Sequence, residues 1–97
     1  MNITPNGYVG RKSSINTTAV QLTDTSYKLK NGITILAASG NSGSVAIGYS
    51  SGVTASGAST DGFPLSAGAG VTVQIDNANK IWVIGSVSGQ VVNWIGD

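Results

Sequence analysis

The chain is 97 residues long, carries a formal net charge of +1, and contains neither cysteine nor histidine. Those values limit it to one small domain and exclude disulfides and the usual zinc ligands. Only 9% of the residues are charged, against about a quarter in a typical soluble domain. No cluster of Lys and Arg large enough to hold a phosphate backbone is present, so nucleic acid is not an expected partner.

The N-terminus Met-Asn-Ile-Thr-Pro has no basic start and no apolar h-region, and no apolar run approaches about 20 residues. Neither an export signal nor a membrane span is expected. Met1 to Lys12 hold one proline and two glycines without periodicity, and read as an extended N-terminal arm. Residues 13–97 read as the folded domain. Ser14 to Leu22 alternate weakly and predict a strand that breaks near Ala19. Ser26 to Lys30 set Tyr27 and Leu29 on one face, and Asn31-Gly32 then predicts a tight hairpin into Ile33–Ala37. Leu36 and Ala38 make that second strand apolar on both faces, as in a covered strand.

Ser39 to Gly43 is a turn, followed by Val45, Ile47 and Tyr49 alternating with Ala46, Gly48 and Ser50. The small residues of this strand leave room for a neighbouring backbone. Residues 50–70 are rich in Gly and Ser, but Val53, Phe63 and Leu65 are apolar anchors that a linker would lack. An ordered loop with a short strand near Gly52–Ala55 is expected. Val71, Val73 and Ile75 alternate with Thr72, Gln74 and Asp76, the cleanest strand pattern in the chain. Ile81 to Gly85 are apolar on both faces, and a tight turn over Ser86–Gly89 leads into Gln90–Ile95. There Val92 and Trp94 share one face, while Val91 and Ile95 flank Asn93 on the other. No helical period is sustained. About seven short strands at this spacing predict an all-β fold, a single antiparallel β-sandwich or small barrel.

Catalytic chemistry has little to work with. All four acidic residues are aspartates (Asp24, Asp61, Asp76, Asp97), scattered along the chain, with no local signature of a Ser-Lys or Asp-Asp dyad. No glycine cluster matches a phosphate loop. An enzyme is therefore not expected, nor a cofactor or metal. The residues left for recognition are Trp82 and Trp94, together with Arg11-Lys12 beside Tyr8. Tryptophan anchors interfaces and also stacks on sugar rings, and a hairpin centred on Ser86–Gly89 would set Trp82 nearly opposite Trp94. Tyr8, Arg11 and Lys12 would fix the arm on an acidic partner surface, unless those charges are simply solvated.

One set of segments adds a resemblance. Lys30-Asn31-Gly32-Ile33, Asn41-Ser42-Gly43-Ser44-Val45-Ala46-Ile47-Gly48, Gly62-Phe63-Pro64-Leu65-Ser66-Ala67-Gly68 and Lys80-Ile81-Trp82-Val83-Ile84-Gly85 together resemble small structural proteins of tailed-bacteriophage virions. The likeness covers about two thirds of the chain, from Lys30 onward, and fixes no individual binding residue. It implies a non-enzymatic particle component, made in the bacterial host cytoplasm and ending on the virion. The capsid decoration (cement) protein is the foremost reading, a homotrimer bridging neighbouring capsomers of the major capsid protein lattice. The alternative is a tail, collar or fibre component that binds carbohydrate. A secreted or fimbrial subunit ranks below both, for want of an export signal.

Overall fold

The computed structural model describes residues 7–55 and 62–97. Eight strands are present among them: β1 (Tyr8–Ile15), β2 (Val20–Gln21), β3 (Ile33–Ala37), β4 (Val45–Gly48), β5 (Phe63–Leu65), β6 (Gly70–Val73), β7 (Trp82–Gly85) and β8 (Gln90–Gly96). A single 3-10 turn, Ala78–Lys80, precedes β7, its first N–H groups capped by the Asn77 side chain, which accepts from Asn79 N–H. The strands form two antiparallel four-stranded sheets, ordered β1-β8-β3-β6 and β2-β7-β4-β5. Their inner faces enclose the core, so the fold is the β-sandwich that the alternating pattern predicts.

Burial follows that alternation. In β3, Ile33, Ile35 and Ala37 are buried while Thr34 and Leu36 are exposed, so this strand is covered on one face and not on both as its apolar residues suggested. In β8, Val92 and Trp94 point inward, whereas Asn93 and Ile95 face out. Ile81 and Val83 reach the same core from the opposite sheet. Each fully buried side chain of this kind contributes about 1.5–3 kcal/mol.

Several local expectations give way to the topology. The stretch read as an arm is strand from Tyr8 onward, hydrogen-bonded along β8 from Tyr8↔Gly96 to Ile15↔Gln90. Met1–Asn6 lie outside the described residues. The predicted strand over 14–22 does break, and its halves enter different sheets: Ile15 ends β1, and Val20–Gln21 pair with β7.

Asn31-Gly32 turns the chain, with Gly32 at φ +96°, but joins no hairpin. β3 pairs with β6 and β8. Segment 26–30 makes only the isolated bridge Lys28↔Asn77, and Lys30 and Asn31 donate their N–H groups to Asp97 O. The short strand of the long loop is β5, not Gly52–Ala55, which is turn and coil. The room foreseen beside Ala46 is filled: a Cβ on Gly62 would stand 3.2 Å from Ala46 Cβ and against Thr54 O.

Ser86–Gly89 does not make a hairpin either. It carries the chain from β7 in one sheet to β8 in the other. The crossing is held by Gln90, which is fully buried. Its Oε1 accepts from Gly43 N–H at 2.9 Å, and its Nε2 donates to Ser42 Oγ at 3.1 Å and Ser88 O at 3.0 Å. Both ends of the amide are satisfied, as a buried polar group requires.

Candidate functional site

Trp94 lies on a central strand directly opposite Gly10 of β1. A side chain at Gly10 would overlap the six-membered part of the indole, so the missing Cβ lets the ring lie across the β1 backbone, where it shields an edge glycine. On its other side Trp94 meets Tyr27 at a ring-centroid distance of 5.4 Å, and Tyr27 meets Tyr8 at 4.8 Å. These tilted contacts make a three-ring stack beneath the β1 edge. Trp94 is only 5% exposed, and it has no open ring face on which a sugar could stack.

Between β1 and β2 the side of the sandwich opens into a cleft of about 450 Å³, lined by Arg11, Lys12, Gln21, Asp24, Tyr27 and Trp94 among others. Alternation along β1 turns Tyr8, Gly10 and Lys12 inward and Val9 and Arg11 outward. Arg11, Lys12 and Trp94 all border this cleft, and Tyr8 is joined to Trp94 through Tyr27. Trp82 is not among them. It lies on the outer face of the other sheet, half-buried between Gln21 and Gly48, so the expected Trp82–Trp94 pair does not form. The two strands that carry them belong to different sheets.

One exposed sheet face is a feature that sequence reasoning missed. Across the outer face of the β1-β8-β3-β6 sheet, Val9, Ile95, Thr34 and Thr72 stand in register, followed by a row of Arg11, Asn93, Leu36 and Gly70. Val9 is 79% and Ile95 61% exposed. Thr34 and Thr72 join their hydroxyls at 2.9 Å. Arg11 is the only charged side chain in these two rows. These rows share the low charge of the chain as a whole, 9%, and what sets them apart is the exposed aliphatic pair Val9 and Ile95. The placement of Ile95 opposite Trp94 was legible beforehand. Its exposure was not, because exposure depends on what the second layer covers.

Among the described residues no group of His, Cys, Asp or Glu is arranged to hold a metal ion. The one ion pair there is Lys80–Asp76 at 2.8 Å, on the surface. The Lys80 hydrogen bond and its charge lower the Asp76 pKa below the ordinary aspartate value. Among the described residues no helix is long and apolar enough to cross a membrane. Comparison with protein-family models, curated proteins and solved structures finds no significant match.

Proposed function

We propose that the protein is a non-enzymatic assembly subunit, and that it works by laying the outer face of the β1-β8-β3-β6 sheet on a larger protein lattice. The observation that carries this reading is the in-register row Val9–Ile95–Thr34–Thr72, uncharged throughout, in which the two aliphatic side chains stand open to solvent beside a hydrogen-bonded threonine pair. The resemblance to tailed-phage virion components supplies the kind of lattice. On this reading the partner is a capsid surface of major capsid protein, the location is the virion, and the subunit decorates and braces capsomers.

Area decides how such a face can work. Four strands about 4.8 Å apart, with about 3.4 Å per residue, span roughly 400 Å². A specific, stable interface takes about 800 Å² from each partner. One face alone would hold weakly, so the mechanism is multivalent: many copies, self-associated as homo-oligomers, each add a modest contact across a seam. Arg11, at the edge of the face, supplies a single cation for an acidic group on the partner. The covered ring of Trp94 removes one of the two tryptophans on which the glycan alternative would rest, and leaves Trp82 as its remaining candidate platform.

The test is co-sedimentation of the purified chain with compact and expanded heads of its parent phage, alongside the variant Ile95→Asp. Stoichiometric binding that the variant loses, with unchanged thermal stability, is the expected result. Failure of the wild-type chain to bind either head form would remove the capsid as partner. Binding that Ile95→Asp leaves intact would move the contact off this face.

A further inference from the structure

A sandwich of this kind has four edge strands, and three of them carry a device that stops another strand from adding on. β5 contains Pro64, which has no N–H to donate. β2 is two residues long. β1 carries Arg11 and Lys12 and is kinked by a register shift between Lys12 and Ile15, with Ser14 at φ +56°. β6 has none of these. It reads Gly-Val-Thr-Val, without charge, proline or bulge.

The β6 edge borders a second opening of the sandwich. Between β5 and β6 a cleft of about 460 Å³ is lined by Ile47, Tyr49, Phe63, Val71, Val73 and Gln74, among others, and no charged residue is among its described lining. Phe63 stands in the inward-facing row with Ile47 and Val83, yet it is 56% exposed, and Tyr49 is 69% exposed. These rings belong to the core pattern, yet among the described residues they are left largely exposed. An unprotected edge and an unsealed side of the core coincide.

We infer that a second copy of the chain covers both, through antiparallel pairing of β6 with β6 about a two-fold axis at Thr72. The ladder fixes the register. Ala37 N–H donates to Ala69 O, and Ile35↔Val71 and Ile33↔Val73 follow at two-residue steps. Val71 and Val73 therefore turn their N–H and C=O groups toward β3, and Gly70 and Thr72 turn theirs outward. In the pair, Thr72 of one copy exchanges both hydrogen bonds with Thr72 of the other, and Gly70 meets Gln74. The contact is isologous, so it closes on itself and cannot run on into a fibre.

The area is sufficient for association, though not for tight binding. A covered aromatic side chain removes about 150–250 Å², so the open parts of Phe63 and Tyr49 supply roughly 200–300 Å² per copy. With a similar area from the strand edge, the pair buries about 1,000 Å² in all, the lower limit for a specific interface. The two β1-β8-β3-β6 sheets become one eight-stranded sheet, which doubles the exposed face. This pairing stands independently of what that face binds, and it makes the unit two copies rather than the three that the phage resemblance implies.

Sedimentation velocity on the purified chain tests it, together with concentration-dependent hydrogen exchange at the Thr72 amide and two variants. Thr72→Pro removes the outward N–H in the manner of Pro64, a substitution that edge strands accept. Phe63→Ser strips the apolar seal from an already exposed position. A dimer at about 100 µM is expected, with Thr72 exchange slowing as concentration rises and both variants monomeric with native circular dichroism. Should Thr72→Pro fail to fold, Phe63→Ser and the exchange rate still decide. A wild-type monomer or trimer at that concentration, or a dimer whose Thr72 amide exchanges freely, would overturn the pairing.

Discussion

Replacing Gln90 by glutamate keeps the shape of a fully buried side chain and changes which of its atoms can donate. The wild-type amide accepts from Gly43 N–H and donates to Ser42 Oγ and Ser88 O. In Gln90→Glu, Gly43 N–H and the Ser42 hydroxyl can still donate to a carboxylate. The Ser88 carbonyl, 3.0 Å away, would face a second oxygen with no proton between them. All three partners are uncharged, so nothing offsets the loss of hydration of a buried anion. Such surroundings raise a carboxyl pKa by up to 3–5 units, and each unit is worth about 1.36 kcal/mol. Taking about 2–3 units, the variant should be roughly 3–4 kcal/mol less stable than wild type at pH 7. That is a large part of the 5–15 kcal/mol typical of small domains.

Below pH 4 the neutral acid donates to Ser88 O and accepts from Gly43 N–H, so most of the network returns. The sign follows from linkage. The folded pKa lies above the unfolded value of about 4.3, so stability is full below that value and falls as pH rises through the folded pKa. Glutamine does not titrate, so urea unfolding of both proteins from pH 3.5 to 7.5 isolates the effect in their difference. A difference that stays constant across that range, or stays under about 1 kcal/mol at pH 7, would mean that Gln90 does not hold the crossing between the sheets.

Gly32→Ala should cost about 2–4 kcal/mol in chemical unfolding, because a Cβ at φ +96° is strained and would collide with Val73 O. In a Trp82→Phe background, Gly10→Ala should push the Trp94 indole off the β1 backbone. It should shift fluorescence emission to the red and destabilise by about 1–3 kcal/mol; an unmoved spectrum would show that the ring does not depend on the glycine. Asp76 has its pKa lowered by Lys80, so any contribution is present above the unfolded aspartate pKa and is lost as pH falls through the lower folded value. The pair is solvent-exposed, and Asp76→Asn should leave the melting temperature at pH 7 essentially unchanged.

The sequence by itself determined the class of fold and the direction of most side chains. Strand alternation is local chemistry: Val92 and Trp94 must share a face, as must Ile33 and Ile35, whatever they pair with. Turn chemistry was local too, and Gly32 takes the left-handed conformation that Asn31-Gly32 signals. Pairing was not local. Ser86–Gly89 and Asn31-Gly32 satisfy hairpin rules equally well as links between sheets, and the choice was made by Gln90 and by contacts with Asp97 that are distant in sequence. For the same reason Trp82 and Trp94 part company, and Tyr8 and Arg11 join a strand instead of an arm.

The exposed face could not be read from Val9, Ile95 and Leu36 alone. An apolar residue on the second face of a strand looks the same in sequence whether or not another layer covers it. Only the tertiary structure decides which sheet faces are stacked and which edges are closed, because burial is a property of the neighbours and not of the residue.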